Sequence, residues 1–467
     1  MTGPVTTDPA SDAALGRLLV EWAPRQRWFA HKGASVHLER LERTPLDEGG
    51  VAQLVALTVR TGAGEDATST VYAVPLTVRH APDDSLAPAL VGHLPDVDGA
   101  QAWVYDGPHD PTFTRALLTL VAGEEGAGSA TFGVHGTSAD GGLPVPDGAR
   151  TKVLGGEQSN TSIVVSAPEG SQQTPLIAKV FRVLNAGDNP DVVVQTALAG
   201  AGCERVPRPA GWVDGQWTAP DGSTAHGHLA HLTEFLAGSQ DAWRVATAAV
   251  AADRGFSAEA GELGAATAEV HAVLARELPT EPATPERLGV LADGLAARVA
   301  WACSAVPQLR EFAAAATGRV DAVRRVGGAP DLQRVHGDYH LGQVLRSAER
   351  GWVLLDFEGE PLRPLAERSV PDLALRDVAG MLRSFDYAAA TGPDPAAAER
   401  WAAACREAFL AAYAAGTGVD PREEGSAAAT LLAALELDKA LYEVVYEVRN
   451  RPDWSHIPLG AVRRLTS

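Results

Sequence analysis

Two carboxylates and an amide in the last third of the chain have the types and spacing that phosphoryl transfer requires. Asp338 lies in a polar loop between apolar stretches, Gln343 follows five residues later, and Asp356 ends a short apolar run. Phosphoryl transfer needs a group that accepts the hydroxyl proton and oxygen ligands for a divalent cation. We therefore predict Asp338 as the catalytic base, Gln343 and Asp356 as magnesium ligands, and Glu358 as an assisting acid.

A lysine inside an apolar strand adds a second element of this chemistry. Lys179 lies within the apolar run 176 to 181, where a charged side chain normally needs a partner. The strand follows a polar turn that can offer backbone N–H groups and hydroxyls to phosphate oxygens. We expect Lys179 to contact nucleotide phosphates. The predicted cofactor-binding residues of the turn are Gln158, Ser159, Asn160, Thr161 and Ser162.

The order of these elements resembles that of kinases. His336, Asp338 and Gln343 are similar to the H-R-D-x-x-x-x-N element, and Asp356 begins a D-F-x sequence similar to D-F-G. Lys179 is similar in position to the strand lysine of V-A-I-K. This resemblance implies that the remaining segments supply a nucleotide pocket and an acceptor site.

Two segments are predicted to complete the nucleotide side. The strand that breaks near residue 238 is expected to be a hinge, with Glu234 and Leu236 beside adenine. The helix expected from residue 189 onward would carry the glutamate partner of Lys179 in protein kinases. That segment contains no glutamate, and Asp191 is its nearest acid. The partner of Lys179 therefore stays open.

Several residues near the loop are predicted to support it rather than react. Asp377 opens a helix and is expected to accept backbone N–H groups of the loop, with Arg376 beside it. His336 and His340 are interpreted as loop scaffolding, because a metal site made from both would need further ligands at suitable spacing.

A helix near the end of the sequence carries acids and aromatic residues on shared faces. Residues 437 to 449 have helical spacing, which places Tyr442 with Tyr446 and Glu443 with Glu447. Such a helix can be a solvated surface helix, or it can bind a sugar through carboxylates and aromatic rings. Both interpretations stay open on spacing alone. The predicted substrate residues are Asp338, Tyr442, Glu443, Tyr446, Glu447, Arg451 and Trp454.

Composition excludes some partners. The chain has 467 residues with a net charge of -20, which argues against a nucleic-acid backbone as partner. The first twenty residues lack a basic start followed by an apolar core, and no run of eighteen apolar residues occurs. We expect a cytoplasmic monomer whose partners are a small-molecule sugar and a nucleotide, with no nucleic acid and no membrane.

Five motifs together closely resemble actinobacterial maltokinase and its relatives. They are E-Q-S-N-T-S at 157 to 162, H-G-D-Y-H-L-G-Q at 336 to 343, D-F-E-G-E-P at 356 to 361, R-D-V-A-G-M-L-R-S-F-D-Y-A-A at 376 to 389, and Y-E-V-V-Y-E-V-R-N-R-P-D-W at 442 to 454. The resemblance extends to R-Q-R-W-F-A at 25 to 30. It implies ATP and Mg²⁺ as cofactors and a sugar hydroxyl as acceptor.

The resemblance also implies an α+β fold. The expected architecture is the bilobal, protein-kinase-like fold of aminoglycoside phosphotransferases, with an N-terminal cap subdomain and a mostly helical C-lobe. We place the cap at residues 1–135, the kinase N-lobe and hinge at 149–238, and the C-lobe with the catalytic loop and sugar site at 239–467.

The acceptor is the main open choice. Maltokinases make maltose 1-phosphate, whereas a similar branch phosphorylates glucosamine at O6. This sequence has Val193 where the maltokinase pattern places a glutamate, and it carries an insertion at residues 166 to 175. These departures favour glucosamine over maltose, and acids such as Glu443 or Glu447, expected to be unpaired, would suit an ammonium group.

Two other functional classes share some of these sequence features. A kinase-like regulatory binding module is an alternative because the helix glutamate is missing. A protein kinase is not supported, since the activation segment that would follow Asp356 is replaced by residues 361 to 371 and then the helix at Arg376.

Overall fold

The structure of the protein is a computed structural model, which describes residues 9–62, 67–95, 101–139, 149–155, 159–168, 170, 173–360 and 364–467. The chain divides into two compact units. The first comprises Met1–Val192 and Arg208–Ala237, and the second comprises Val193–Pro207 and Gly238–Ser467. The division at Ala237 and Gly238 falls where the sequence predicts the hinge.

The first unit begins with a helix and an antiparallel sheet. Within the described residues the sheet order is β1-β2-β3-β5-β4, and β2 and β3 form an antiparallel hairpin. A second helix, α2, follows the sheet. The bounds are α1 (Pro9–Trp22), β1 (Val36–Pro45), β2 (Ala52–Thr61), β3 (Thr68–Arg79), β4 (Leu90–Pro95), β5 (Gln101–Asp106) and α2 (Pro111–Gly123).

Strand β2 is buried on both faces. Its side chains point alternately to opposite sides of the sheet. Leu54 and Ala56 belong to one core cluster together with residues of α2, whereas Val55 and Leu57 belong to another that contains Leu15 of α1. Because both faces of the strand pack in a core cluster, its sequence is an almost continuous apolar run.

A second antiparallel sheet in the same unit carries the predicted nucleotide elements. Its order, for the described part of the chain, is β6-β7-β11-β12-β10-β9-β8. Strands β6 and β7, which the sequence prediction assigned mainly to the cap, lie in this sheet because β7 pairs with β11. Residues 140–148, which lie between the predicted cap and the predicted kinase N-lobe, are outside the described residues. The bounds are β6 (Gly126–Gly128), β7 (Gly133–Ser138), β8 (Arg150–Val153), β9 (Asn160–Ser166), β10 (Leu176–Phe181), β11 (Pro209–Thr218) and β12 (Thr224–Glu234).

A buried arginine joins the two sheets of this unit. Arg182 is fully buried, and its guanidinium donates to Thr161 Oγ1 at 2.8 Å and to Asp106 Oδ1 at 3.2 Å. It also lies 4.8 Å from the ring centroid of Trp28. Burial lowers the pKa of Arg182, and Asp106 opposes that shift. The ion pair therefore compensates a charge that would otherwise be costly inside the unit.

The second unit is mostly helical, as predicted. The loop that contains Asp338 lies next to a short sheet, β13-β14-β15. The bounds are α3 (Pro190–Gly200, which begins in the first unit), β13 (Gln240–Asp241), α4 (Ala242–Ala251), α5 (Ser257–Glu277), α6 (Pro285–Ala305), α7 (Ala313–Val323), β14 (Val344–Ser347), β15 (Gly351–Leu354), α8 (Leu365–Arg368), α9 (Leu375–Ala389), α10 (Pro395–Thr417), α11 (Ala427–Asn450) and α12 (His456–Thr466).

Helix α9 lies at the centre of this unit. Met381, Leu382 and Phe385 are completely buried in the core cluster, where Phe385 packs edge-on against Phe409 of α10. Val444 of α11 belongs to the same cluster. Because α9 is buried on nearly every side, its few polar residues must find partners inside the protein.

One helix within the described residues, α6, is long and apolar enough to cross a membrane by length and composition alone. It buries Leu288, Ala292 and Leu295 in the core cluster of the second unit. Core helices of folded proteins pass the same test, so the helix adds no argument for a membrane location.

Removal of the Asp106 carboxylate should destabilise the first unit. In Asp106→Asn the buried guanidinium of Arg182 loses its charged partner, and we expect a loss of about 3 to 5 kcal/mol in the free energy of unfolding. Urea denaturation followed by circular dichroism measures this loss. Asp84→Asn, which changes an exposed carboxylate of the same unit, is the matched control. The double variant Asp106→Asn/Arg182→Met should recover part of the loss, and wild-type stability of Asp106→Asn would contradict the interpretation.

Candidate active site

The loop that contains Asp338 is held by one buried carboxylate. Asp377 Oδ2 accepts from the backbone N–H of His336 at 2.7 Å, and Oδ1 accepts from that of Gly337 at 2.9 Å. His271 Nε2 lies 3.0 Å from the same Oδ2. Burial opposes ionisation of Asp377, but the hydrogen bond and charge of His271, together with the loop, outweigh burial and hold its pKa below the ordinary value. Asp377 thus accepts backbone N–H groups of the loop, which is the contact expected for it from the sequence.

The centre of the loop is fixed by packing. Tyr339 is buried, and its hydroxyl is 2.8 Å from Thr267 Oγ1, while the N–H of Leu341 donates to Ser384 Oγ at 3.0 Å. A side chain at Gly380 would overlap the carbonyl oxygen of Tyr339, so the loop lies directly on the backbone of α9. Asp338 is left 28% exposed between these anchors.

Asp356 and Gln343 lie beside each other. The side-chain amide of Gln343 donates to Asp356 Oδ2 at 3.4 Å, and the backbone carbonyl of Gln343 accepts from the N–H of Leu355 at 2.9 Å. Asp356 adopts a φ of 60°, a left-handed conformation that is uncommon for residues other than glycine and that concentrates at functional sites. A carboxylate and an amide are hard oxygen donors, which suit Mg²⁺.

His336 and His340 contact the loop and its neighbours. His336 Nε2 lies 2.8 Å from the carbonyl oxygen of Leu355, so this ring links the loop to the segment before Asp356. Burial lowers the pKa of His340, while Asp338 opposes the shift. Both rings therefore have the scaffolding contacts that the sequence prediction gave them.

Arg376 and Glu358 have nearby partners. The Arg376 guanidinium is 2.5 Å from Asp372 and 3.8 Å from Asp438, which fixes the first turn of α9 next to Asp377. The backbone carbonyl of Glu358 accepts from Arg368 at 3.0 Å. The assisting role of Glu358 stays a prediction.

The structure gives Lys179 a carboxylate partner. Lys179 Nζ is 3.5 Å from Asp191 Oδ2 at the start of α3, and His231 Nδ1 is 3.6 Å from the same oxygen. Asp191 is only 2% exposed. The acid in the first turn is also favoured by the helix dipole. Asp191 thus supplies the carboxylate partner of Lys179 that a glutamate supplies in protein kinases.

Only part of the predicted phosphate turn lies within the described residues, and some of its side chains are buried. Gln158 lies outside the described residues. The Thr161 hydroxyl accepts from buried Arg182, and Ser162 is 1% exposed, in register with Lys179. The side chains of Ser159 and Asn160 are more accessible to a phosphate than those of Thr161 and Ser162, because the latter two are buried.

The two predicted hinge residues lie at the end of β12. The Glu234 carboxylate accepts from the backbone N–H of Arg208 at 2.9 Å, and the Glu234 N–H donates to the carbonyl of the same residue. Leu236 is half-buried. Contacts of these two residues with adenine stay a prediction.

The acids of α11 are paired, which corrects the expectation that they are free. Glu443 accepts from Arg383 at 2.8 Å, and Glu447 accepts from Arg451 at 2.6 Å and from the Tyr387 hydroxyl at 3.0 Å. Glu447 is 1% exposed, so the interpretation as a solvated surface helix is also wrong. Burial opposes the charge on Arg383, but Glu443 and neighbouring acids outweigh burial and raise its pKa.

Aromatic rings form a row along the same helix. Tyr442 and Tyr446 stack with centroids 6.4 Å apart, and Tyr442 stacks on Trp301 at 6.3 Å. The Arg451 guanidinium lies over Tyr446 and over Trp454. The predicted aromatic residues are thus close together, and Trp301 extends the row.

Sequence reasoning missed three charged or polar residues of this region. Arg383 and Tyr387 hold the acids of α11, and Lys439 Nζ lies 3.7 Å from Asp338 Oδ1. A signal for Lys439 was present, because residues 439, 443 and 447 follow each other at four-residue steps on one helix face. Arg383 was readable as a charge within the apolar pattern of α9.

The fold and the Asp338 site define a kinase-like phosphotransferase. The chain belongs to the phosphotransferase enzyme family, which matches residues 150–425, and residues 22–110 match the maltokinase N-terminal cap domain. The predicted family and enzyme class are therefore confirmed.

Relatives and solved structures agree with this assignment. The chain is 28% identical to a glucosamine kinase of Streptacidiphilus jiangxiensis, with 65% of this chain and 70% of the relative covered. It is 30% identical to a glucosamine kinase of Mycolicibacterium smegmatis, with 66% and 78% covered. A glucosamine kinase structure in complex with glucosamine, ADP and inorganic phosphate matches 100% of both chains with a TM-score of 0.67 at 24% identity, which confirms the predicted fold.

The lowered pKa of Asp377 makes a stability contribution that depends on pH. Its folded pKa lies below the unfolded value of about 3.9, so the contribution is complete above that value and disappears as the pH falls through the folded pKa. We expect Asp377→Asn to lower the melting temperature at pH 7, with a gap to wild type that narrows only below about pH 4 to 5. Asp321→Asn, at an exposed site of the same unit, is the control. A gap that is unchanged down to pH 3 would contradict the assignment.

Close contact at Gly380 predicts that even a methyl group disturbs the loop. Gly380→Ala should lower kcat by about 10- to 100-fold, because its Cβ displaces the carbonyl of Tyr339 and moves Asp338. Gly318→Ala in α7 has open space around the new Cβ and should leave kcat unchanged. Steady-state kinetics measure both variants, and wild-type kcat for Gly380→Ala would show that the loop tolerates displacement.

Proposed function

We propose that the protein is an ATP- and magnesium-dependent sugar kinase that converts D-glucosamine and ATP to glucosamine 6-phosphate and ADP. The observation that carries the acceptor is the similarity to two glucosamine kinases over about two thirds of the chain. The departure at Val193 and the insertion at residues 166 to 175 support the same choice. The proposed setting is a cytoplasmic monomer without nucleic-acid or membrane partners, which the net charge of -20 supports in part.

Asp338 is the proposed base. Its carboxylate accepts the proton of the sugar hydroxyl while that oxygen forms a bond to the γ-phosphorus of ATP, and the bond between this phosphorus and the ADP oxygen breaks. Asp377, Tyr339 and Gly380 hold the loop, so the carboxylate is in place before the sugar arrives. Such preorganisation lowers the cost of reaching the reactive geometry.

Other residues have proposed binding roles. Gln343 and Asp356 would hold Mg²⁺, which when bound neutralises phosphate charge and orients the phosphates. In the first unit, Lys179 is proposed to contact nucleotide phosphates, with Asp191 setting its position at 3.5 Å. Ser159 and Asn160 are proposed to contact phosphate, and the backbone of Glu234 and Leu236 to contact adenine.

The sugar is proposed to bind along the face of α11. Tyr442, Tyr446 and Trp454 offer ring faces that suit the apolar side of a sugar. Glu443, held by Arg383 and 14% exposed, can accept a hydroxyl hydrogen bond in a fixed direction, whereas the buried Glu447 holds Arg451 and Tyr387 in place beside it. This arrangement supports a polyhydroxyl acceptor over a flat or apolar one.

Maltose is the second candidate acceptor. The match of residues 22–110 to the maltokinase N-terminal cap domain favours it. The product would then be maltose 1-phosphate. The regulatory-module alternative loses its motivation, since Asp191 supplies the carboxylate beside Lys179.

An acceptor screen tests the proposal. We expect ADP release, measured by a coupled assay with magnesium and ATP, to be fastest with glucosamine and slower with glucose, maltose and aminoglycosides. Asp338→Asn should lose about 10²- to 10⁴-fold in kcat while ATP binding is retained, because only the proton acceptor is removed. Asp331→Asn, an exposed residue before the loop, is the matched control.

The two parts of this experiment have separate contrary outcomes. A preference for maltose would replace glucosamine by maltose as the acceptor. Near-normal turnover of Asp338→Asn would remove Asp338 as the base, whichever sugar is used.

A further inference from the structure

A lysine that the proposed mechanism does not use lies next to the base. Lys439 Nζ is 3.7 Å from Asp338 Oδ1, and the two side chains are 31% and 28% exposed. An ion pair with this exposure is screened by water and contributes at most about 1 kcal/mol to stability. Stability alone therefore gives little reason for the contact.

The position of the ammonium group is set by two helices. Lys439 belongs to α11, and a Cβ at Gly380 of α9 would lie 3.5 Å from its Nζ. Gly380 is also the residue on which the carbonyl of Tyr339 rests. The same small patch of α9 thus fixes the loop and leaves room for the lysine side chain.

The residue type is informative because lysine is rare in this sequence. The printed sequence contains four lysines among 39 basic residues, namely Lys32, Lys152, Lys179 and Lys439. Two of the four, Lys179 and Lys439, lie within 4 Å of a carboxylate in the regions proposed to bind nucleotide and sugar. Lysine, and not the far commoner arginine, therefore occupies these two places.

The chemistry of the two cations explains the choice. A guanidinium has a planar fork that engages both oxygens of a carboxylate, whereas an ammonium is a compact point charge. The Lys439 contact is to Oδ1 of Asp338. A single contact of this kind can orient the carboxylate and leave Oδ2 for the sugar hydroxyl.

We propose that Lys439 is a positioning residue for the sugar kinase reaction, which orients the Asp338 carboxylate so that Oδ2 faces the acceptor hydroxyl. The inference rests on the proposed function, in which Asp338 is the base. During transfer the proton moves from the sugar oxygen to Asp338, the new bond from that oxygen to phosphorus forms, and ADP leaves. Lys439 keeps its own proton throughout and acts only through Asp338.

A double-mutant cycle tests whether Lys439 acts through Asp338. We expect Lys439→Met to lower kcat by about 10- to 100-fold, as a displaced reacting group does, with little change in KM for ATP. In the Asp338→Asn background the same substitution should change kcat less than twofold, because the group that Lys439 orients is already gone. Arg449→Met, which removes an exposed cation from the same helix, should leave kcat unchanged.

Chemical rescue provides a readout that a merely structural role would not give. Lys439→Ala leaves space for a small cation, so added methylammonium should raise its kcat several-fold, whereas tetramethylammonium, which is too large for that space, should not. Lys439→Met fills that space and should not respond. Melting temperatures of all variants are measured alongside to separate misfolding from lost positioning.

The outcomes distinguish the role of Lys439 from the role of Asp338 as the base. Wild-type kcat for Lys439→Met, or an equal loss in both backgrounds of the cycle, would overturn the role of Lys439 while Asp338 stays the base. High activity of Asp338→Asn alone would instead remove the base, and the role of Lys439 with it.

Discussion

The site depends on one buried carboxylate that stays ionised. Asp377 is 1% exposed, yet it accepts two backbone N–H groups of the loop and faces His271. An ionised group at this depth is tolerated only when hydrogen bonds and an opposite charge replace water. The same bonds fix two consecutive peptide groups immediately before Asp338. The proposed base, Asp338, is only partly exposed and therefore takes its position from a fully buried acid.

Helix α9, which carries Asp377, also contacts the rest of the second unit. Asp377 and Gly380 face the loop, and Ser384 accepts from it one turn later, whereas Arg383 faces the acids of α11. Its apolar residues meanwhile fill the core. The spacing of three to four residues between loop contacts is that of one helix face. One helix thus packs in the core and contacts both the loop of the proposed base and helix α11.

The sequence predicted motifs and element types well, because both are local. The catalytic loop, the Lys179 strand and the α11 face follow from residue order and periodicity. Partners across the fold did not follow, since Arg383 and Glu443 are 60 residues apart and spacing does not tell what a facing helix carries. The partner of the Thr161 hydroxyl did not follow either, because residue order does not show that the buried guanidinium of Arg182 donates to it.

The pairing of charges changes how an amino sugar can be selected. Asp338, Glu443 and Glu447 each have a cation within 4 Å, namely Lys439, Arg383 and Arg451. An acceptor ammonium that approaches Glu443 must compete with a guanidinium that is 1% exposed and bonded at 2.8 Å. Net negative charge therefore cannot be the main source of affinity on this face. In the proposed sugar site, selection would then rest on the directions of the held carboxylate oxygens and on ring contacts, because a site built to hydrogen-bond a hydroxyl rejects an acceptor that lacks it.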